Sequence, residues 1–339
     1  MSQRLRDLDE SALLRQIFPI FADLPGSGGV SVPAGDDAAV VAAPSGSVIA
    51  TTDSMVRGRD WRDDWSSGHD VGWKLVAQNV ADVAAMGGVP TGLLVSLMVD
   101  PEVEVAWVLD FAAGVAAAAQ DAGCPVLGGD LSSAPAGVVV VSITALGDLG
   151  GRAPVLRSGA RVGDVVAVCG SLGWSGAGLA TYAAGLAEPS RSPTSPVADR
   201  DLSLLRWYHR VPRPPYEAGP VAAAAGASAM LDISDGLVRD GRRIAAASGV
   251  SLELSREALA GQFVGPVAAV LGEAQAWEQV LGGGEEHSLL ATFAAGSVPD
   301  DERAPWWVIG TCVAPGPEGP TVLLDGIPAS ARGWDHFHP

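Results

Sequence analysis

Lysine is nearly missing from this chain. Of 339 residues only Lys74 is one, so almost all the positive charge in the 21 Lys and Arg residues is arginine. That lysine sits in "VGWKLV" with no glycine-rich loop before it. A Walker-type loop ends its glycine run in Lys-Ser or Lys-Thr, and a protein-kinase strand carries V-A-I-K; both classes are excluded. If the chain handles nucleotides, arginine and metal ions must neutralise the phosphates. Cysteine is also scarce. Cys124, Cys169 and Cys312 are few, far apart and odd in number, which gives no zinc-ligand spacing and predicts reduced, mostly buried thiols. No uninterrupted apolar run reaches the roughly 18–20 residues of a membrane span. The opening "MSQRLRDLDE" lacks the apolar core of a secretory leader. A cytoplasmic protein without a membrane partner is the expectation. A formal charge of −18 argues against nucleic acid as partner, because phosphate backbones call for basic surface.

Apolar residues make up 48% and charged residues 18%, a composition that folds, and the length suits two domains. A helix is predicted over Leu8–Leu24, kinked or ended by Pro19. Another is predicted over Ser66–Gly88, with Ser67 as its N-cap and Val71, Leu75, Val76, Val80, Val83 and Met86 on its apolar face. Strands are predicted at Ala38–Ala42, Ser47–Asp53, Gly92–Val99, Val138–Gly147, Val165–Cys169 and Ala229–Ile233, among others. "GGRAPVLRSGARVGD" reads as a connection dividing residues 1–150 from 151–339. Strands and helices alternate without the regular repeat of a Rossmann fold, so an α+β architecture is favoured.

Carboxylates recur where strands end. "AGDDAAVV" carries Asp36 and Asp37, "TTD" ends in Asp53, "LGGDLSS" holds Asp130, and "LDISDGL" holds Asp232 and Asp235. Asp82 lies on the polar side of a helix near Asn79. Any one alone is an ordinary cap or turn residue. Together, with the hydroxyls of Thr51, Thr52 and Ser234, they suit magnesium, which takes oxygen ligands and is shared with substrate phosphates. The glycine-rich "CGSLGWSGAG" (Cys169–Gly178) has G-x-x-G-x-x-G spacing and no acidic residue on the next strand. It reads as a tight turn with possible phosphate contact through backbone N–H groups, not as a dinucleotide fingerprint.

"GDDAAV", "TTD", "NVADVAAMG", "GGD", "RAPVLRSGA", "LDISDGL", "GGGEEH" and "GWDHF" follow one another in the order seen in the thiamine-monophosphate kinase family, which the chain resembles from about residue 8 onward. The resemblance implies the two-domain aminoimidazole ribonucleotide synthetase-like fold, with N-terminal domains pairing into a β-barrel in a homodimer and the C-terminal domain closing the active-site cleft. It implies ATP- and magnesium-dependent phosphorylation of thiamine phosphate to thiamine diphosphate. Carried over, it makes Asp37, Thr51, Thr52, Asp53, Asp82, Asp130, Asp232 and Asp235 ligands of several Mg2+ ions. It places Gly129, Asp130, Arg157 and Ser234 on ATP, and Glu285 and Trp334 on the acceptor.

The departures fall on the acceptor side. Where the family continues to His-Phe after "TTD", this chain has Asp60 and Trp61, and the usual "GGED" is "GGEE". A carboxylate near an anionic acceptor is unfavourable unless Arg57, Arg59 or a metal offsets it. Asp60 therefore joins the candidate substrate-binding residues and motivates one alternative, a different acceptor (another phosphate, a carboxylate or an amide) on the same ATP and metal core; a second, a non-catalytic nucleotide-binding protein, is opposed by the complete aspartate set.

Overall fold

The computed structural model describes residues 3–32, 39–186, 197–331 and 333. The chain divides into two compact units, Met1–Val83 with Gly88–Arg152, and Ala84–Gly87 with Ala153–Pro339. The turn of chain at Ala84–Gly87 clusters with the second unit.

Numbered in chain order, the first unit contains α1 (Glu10–Ile17), β1 (Val30–Val32), β2 (Val40–Val41), β3 (Ile49–Val56), α2 (Gly68–Ala85), β4 (Val89–Val99), α3 (Val105–Ala122), β5 (Val126–Ser133) and β6 (Val139–Asp148). Helix α1 is shorter than predicted. It stops at Ile17, and Pro19 opens a 3-10 turn over Phe18–Phe21, as a residue without an N–H dictates. Ser67 and Asp70 cap α2 reciprocally: the Asp70 N–H donates to Ser67 Oγ at 3.2 Å and the Ser67 N–H to Asp70 Oδ2 at 3.0 Å.

The main sheet of this unit runs β3-β6-β4-β5, with only β4 and β5 parallel. Strand β6 shows the period-two pattern plainly: Val139, Val141, Ile143 and Ala145 are fully buried, while the residues between them are half-buried. Helices α2 and α3 cross so closely that glycine is required at the contact. A Cβ on Gly72 would stand 2.3 Å from the Phe111 carbonyl oxygen, and one on Gly114 would stand 2.1 Å from that of His69. Helix α3 is long and apolar enough to cross a membrane by length and composition. It buries Val108, Phe111, Val115 and Ala118 within its own unit, and its Asp110 carboxylate accepts the His69 N–H at 2.8 Å.

The second unit contains β7 (Val165–Cys169), α4 (Trp174–Ala183), α5 (Val197–Arg210), α6 (Ala218–Ala224), β8 (Ala229–Ile233), α7 (Leu237–Ser248), β9 (Ser251–Leu254), α8 (Arg256–Leu259), α9 (Gly265–Leu271), α10 (Glu273–Gly282), β10 (Ser288–Phe293), β11 (Trp306–Val313), β12 (Val322–Leu324) and β13 (Ile327–Pro328). Its seven strands lie in the order β13-β12-β9-β11-β7-β10-β8, antiparallel except for β12 against β9. Strands β7, β10 and the edge strand β8 are largely apolar and buried along their length ("VVAVC", "SLLATF", "AMLDI") because both faces are covered. Val166, Val168, Leu231, Ile233 and Leu290 enter one core, and Ala167, Cys169, Met230, Leu289 and Phe293 the other. Helix α5 is an element the sequence reading lacks. A Pro/Ser-rich stretch precedes it and "HRVPRPPY" ends it, so its short pattern of Leu205, Tyr208 and His209 reads as connector.

Candidate functional site

Strand β3 extends beyond the predicted end at Asp53, pairing with β6 as far as Val56. Thr51, Thr52 and Asp53 therefore stand inside a strand, and alternation divides them between its faces. Thr51 and Asp53 meet α2. The Thr51 hydroxyl donates to Asp82 Oδ2 at 2.7 Å, and the Asp53 N–H donates to Asn79 Oδ1 at 2.9 Å. Asn79 is fully buried, and its Nδ2 donates to the Leu75 carbonyl at 2.8 Å, which fixes the orientation of the amide. Asn79 and Asp82 are three residues apart on α2 and so present one face to β3.

Thr52 points to the other face, where its hydroxyl donates to the Ile143 carbonyl at 2.9 Å. Asp130 is likewise inside its strand. The register Thr144–Leu94–Gly128 puts Thr52 in one cross-strand row, and Ser142–Ser96–Asp130 puts Asp130 in the next row of that same face. Asp130 is exposed and accepts the Ser132 hydroxyl at 2.8 Å. Gly129 pairs with Val95, in the row that contains Asp53. The first unit thus gathers Thr51, Asp53, Asn79 and Asp82, and leaves Thr52 and Asp130 across the sheet from them.

In the second unit β8 delivers Asp232, Ser234 and Asp235 at its C-terminal end. Asp232 is 6% exposed, and its Oδ2 lies 3.0 Å from His287 Nδ1. Asp235 bonds to Arg243 and lies 3.6 Å from Arg239 Nε. Beneath it Asp240 is fully buried, accepts the Asp235 N–H at 2.8 Å and bonds to Arg243. Burial pushes the Asp240 carboxyl up to about 7 against the opposing pull of Arg243. Arg157 lies elsewhere. Its exposed side chain belongs to the segment whose Leu156 carbonyl accepts the Met230 N–H at 3.1 Å, beside the N-terminal end of β8. The structure does not gather it with Ser234 in this unit.

The "GGGEEH" segment brings in more residues than the motif suggests. The Glu285 N–H donates to the Ser234 carbonyl at 2.8 Å, and Glu285 Oε2 lies 3.4 Å from His209 Nδ1. His209, for which the sequence offers no visible partner, ends α5, is buried, and also stands 3.2 Å from the Ser175 hydroxyl. Glu286 is fully buried. It accepts the Ser171 hydroxyl and the Ser175 N–H, each at 2.7 Å. Burial raises its carboxyl to about 7 against those bonds. The Ser175 N–H in the first turn of α4 is therefore already taken by an internal carboxyl group.

Asp60 Oδ2 accepts the Val56 N–H at 2.7 Å, closing the turn after β3. Trp61 is 4% exposed and stacks on Trp107 at 6.3 Å. Lys74 is buried within α2. Asp37 and Trp334 lie outside the described residues.

Among the described residues no three Asp, Glu, His or Cys side chains converge as a metal cage. Magnesium held jointly with phosphates needs none, since it keeps water ligands and takes one or two carboxylates. Asp53 and Asp82, flanked by hydroxyl and amide oxygens, form a donor set that fits it. His287 and Asp240 escaped the sequence reading, and Glu286 entered it only as the departure from "GGED", because their contacts depend on burial and on pairing across elements distant in sequence.

The AIR synthase related protein N-terminal domain model matches residues 35–149. Thiamine-monophosphate kinase of Mycobacterium tuberculosis (strain CDC 1551 / Oshkosh) is 43% identical over 307 residues, covering 89% of this chain and 85% of its own. The crystal structure of thiamine-monophosphate kinase from Stenotrophomonas maltophilia K279a superimposes with a TM-score of 0.81 at 28% identity, over 95% of this chain and 98% of that one. The solved complex of AaThiL with AMPPCP and TMP gives a TM-score of 0.71 at 28% identity, over 99% and 100% of the two chains. The sequence motifs, the fold of each unit and these likenesses agree: the chain belongs to the thiamine-monophosphate kinase family.

Proposed function

We propose that this chain transfers the terminal phosphoryl group of ATP to thiamine phosphate, giving thiamine diphosphate and ADP. The observation that carries the reading is the 43% identity to a thiamine-monophosphate kinase over most of both chains. The solved relative with AMPPCP and TMP supports ATP as the donor. A phosphate monoester has its second pKa near 6, so the attacking oxygen is largely anionic at neutral pH and needs no catalytic base. The obstacle is repulsion between anions. Bound magnesium supplies the charge that offsets it and aligns donor with acceptor.

In this reading Asp53 and Asp82 hold the metal, the Thr51 hydroxyl orients Asp82, and Asn79 fixes the Asp53 backbone. Asp37, Thr52, Asp130, Asp232 and Asp235 are proposed as further ligands. Gly129, Asp130, Arg157 and Ser234 are proposed to contact ATP, and Glu285 and Trp334 the acceptor. The reading with a different acceptor is not favoured, because the Asp60 and Trp61 that motivate it are engaged in their own turn and core.

A homodimer belongs to the same proposal. The sheet face that carries Thr52 and Asp130 also exposes Leu94 and Met98, an apolar surface suited to pairing with a second copy as a barrel. The chain is proposed to act in the cytoplasm on small molecules. The test is incubation of the purified chain with ATP, magnesium and thiamine phosphate, with thiamine diphosphate and ADP measured by chromatography. Equimolar products, lost on chelation of the metal, are expected. ATP binding without thiamine diphosphate formation would overturn the proposal and favour the non-catalytic alternative.

A further inference from the structure

The Gly282–His287 loop sends three consecutive side chains to three different elements. Glu285 reaches His209 at the end of α5, Glu286 reaches Ser171 and Ser175 at the glycine-rich turn, and His287 reaches Asp232 in β8. Its backbone is fastened as well, with the Glu285 N–H on the Ser234 carbonyl and the His287 N–H on the Ile233 carbonyl, both at 2.8 Å. Contact is close enough that a Cβ on Gly284 would stand 2.5 Å from the Ser234 carbonyl oxygen.

Glu285 and His287 both adopt left-handed backbone conformations, with φ of 60° and 55°. Side chains other than glycine rarely do so, and they stay there only when the surroundings enforce it. Between these two strained residues lies Glu286, fully buried and bonded by both carboxyl oxygens to the turn that opens α4. Loss of the clamp would free two strained residues at once, the acceptor-side Glu285 and the His287 that holds Asp232.

We propose that Glu286 is a positioning residue of the phosphoryl-transfer site, whose buried carboxyl group ties the loop to the glycine-rich turn and so fixes Glu285, His287 and, through His287, Asp232. This rests on the function proposed above.

The test compares Glu286→Leu with Glu286→Gln in the full chain, at a temperature where circular dichroism shows both folded. The Leu side chain keeps the bulk and loses both polar contacts. The Gln side chain can accept from the Ser175 N–H with its oxygen and donate to the Ser171 hydroxyl with its nitrogen. Misplacement of reacting groups predicts a fall in kcat of about 10- to 100-fold for Glu286→Leu. Glu286→Gln should rescue it to within about threefold of the wild type, a pattern that loss of fold stability alone does not produce. Ser171→Ala should cost about threefold and be non-additive with Glu286→Leu.

Wild-type kcat in folded Glu286→Leu, or equal damage in the Leu and Gln variants, overturns the inference. If Glu286→Leu does not fold, Ser171→Ala decides, and an unchanged kcat overturns it. A wild-type chain that makes no thiamine diphosphate overturns the proposed function itself, and this inference with it. An active wild type beside an indifferent Glu286 removes the inference alone.

Discussion

The carboxylates of the two units are held in different ways. In the first, the Thr51 hydroxyl donates to Asp82, and Asn79 accepts the Asp53 backbone N–H. In the second the partners are cationic or can become so: arginines on Asp235 and a histidine on Asp232. A neutral donor orients a carboxylate without cancelling its charge, whereas an ion pair spends that charge within the protein. The lesson is that side chains named together by a motif need not be equally ready for a cation. A cation at Asp235 would compete with the arginines already bonded to it.

That contrast can be broken by experiment. Asp53→Asn should remove activity almost entirely, by about 10²- to 10³-fold in kcat, because it deletes charge at the proposed metal site. Near-normal turnover in a steady-state assay would end the metal assignment. A pH series sharpens the contrast from the other side, since the second unit buries a carboxyl whose folded pKa lies above its ordinary value. Glu286, at about 7, binds its proton more firmly in the folded chain than in the unfolded one. Its stabilising contribution is thus complete below the unfolded value near 4.5 and lost as pH rises through about 7. Denaturant unfolding should therefore show stability falling between pH 5 and pH 7.5, by on the order of 2 kcal/mol. Glu286→Gln should reduce that slope and leave the part that the buried Asp240 contributes.

Asp235→Asn should cost about tenfold in kcat, less than Asp53→Asn, since its charge is already partly neutralised. Equal losses at the two positions would erase the distinction. The smallest effect is expected for Asp60→Asn. Its amide oxygen still accepts the Val56 N–H, so KM for thiamine phosphate should move by less than about threefold. A larger change would restore Asp60 to the acceptor site.

Much of the first unit is legible in sequence, because its signals are local. Ser67 caps α2 as its type and position predict, Pro19 stops α1, and β6 alternates with period two. The motifs likewise name Asp53, Asp82 and Asp232 directly. What stays hidden is register and burial. "TTD" and "GGD" look like strand ends, yet the strands continue to Val56 and Ser133, and alternation alone separates Thr52 and Asp130 from Asp53. Asp60 and Trp61 look like altered acceptor residues, but an Asp that caps its own turn is indistinguishable in sequence from one that faces a ligand. Glu286 and His209 meet across about 77 residues of chain, through Ser175, and no local pattern encodes such a meeting.

One further consequence follows from Lys74. Because the sole lysine is buried in α2, at 4% exposure, an amine-reactive reagent can reach its side chain only when that helix opens. Labelling at Lys74, resolved from that of the terminal α-amine by mass spectrometry, becomes a clock for the opening of that helix. The chain carries its own unfolding reporter, with no engineered probe required.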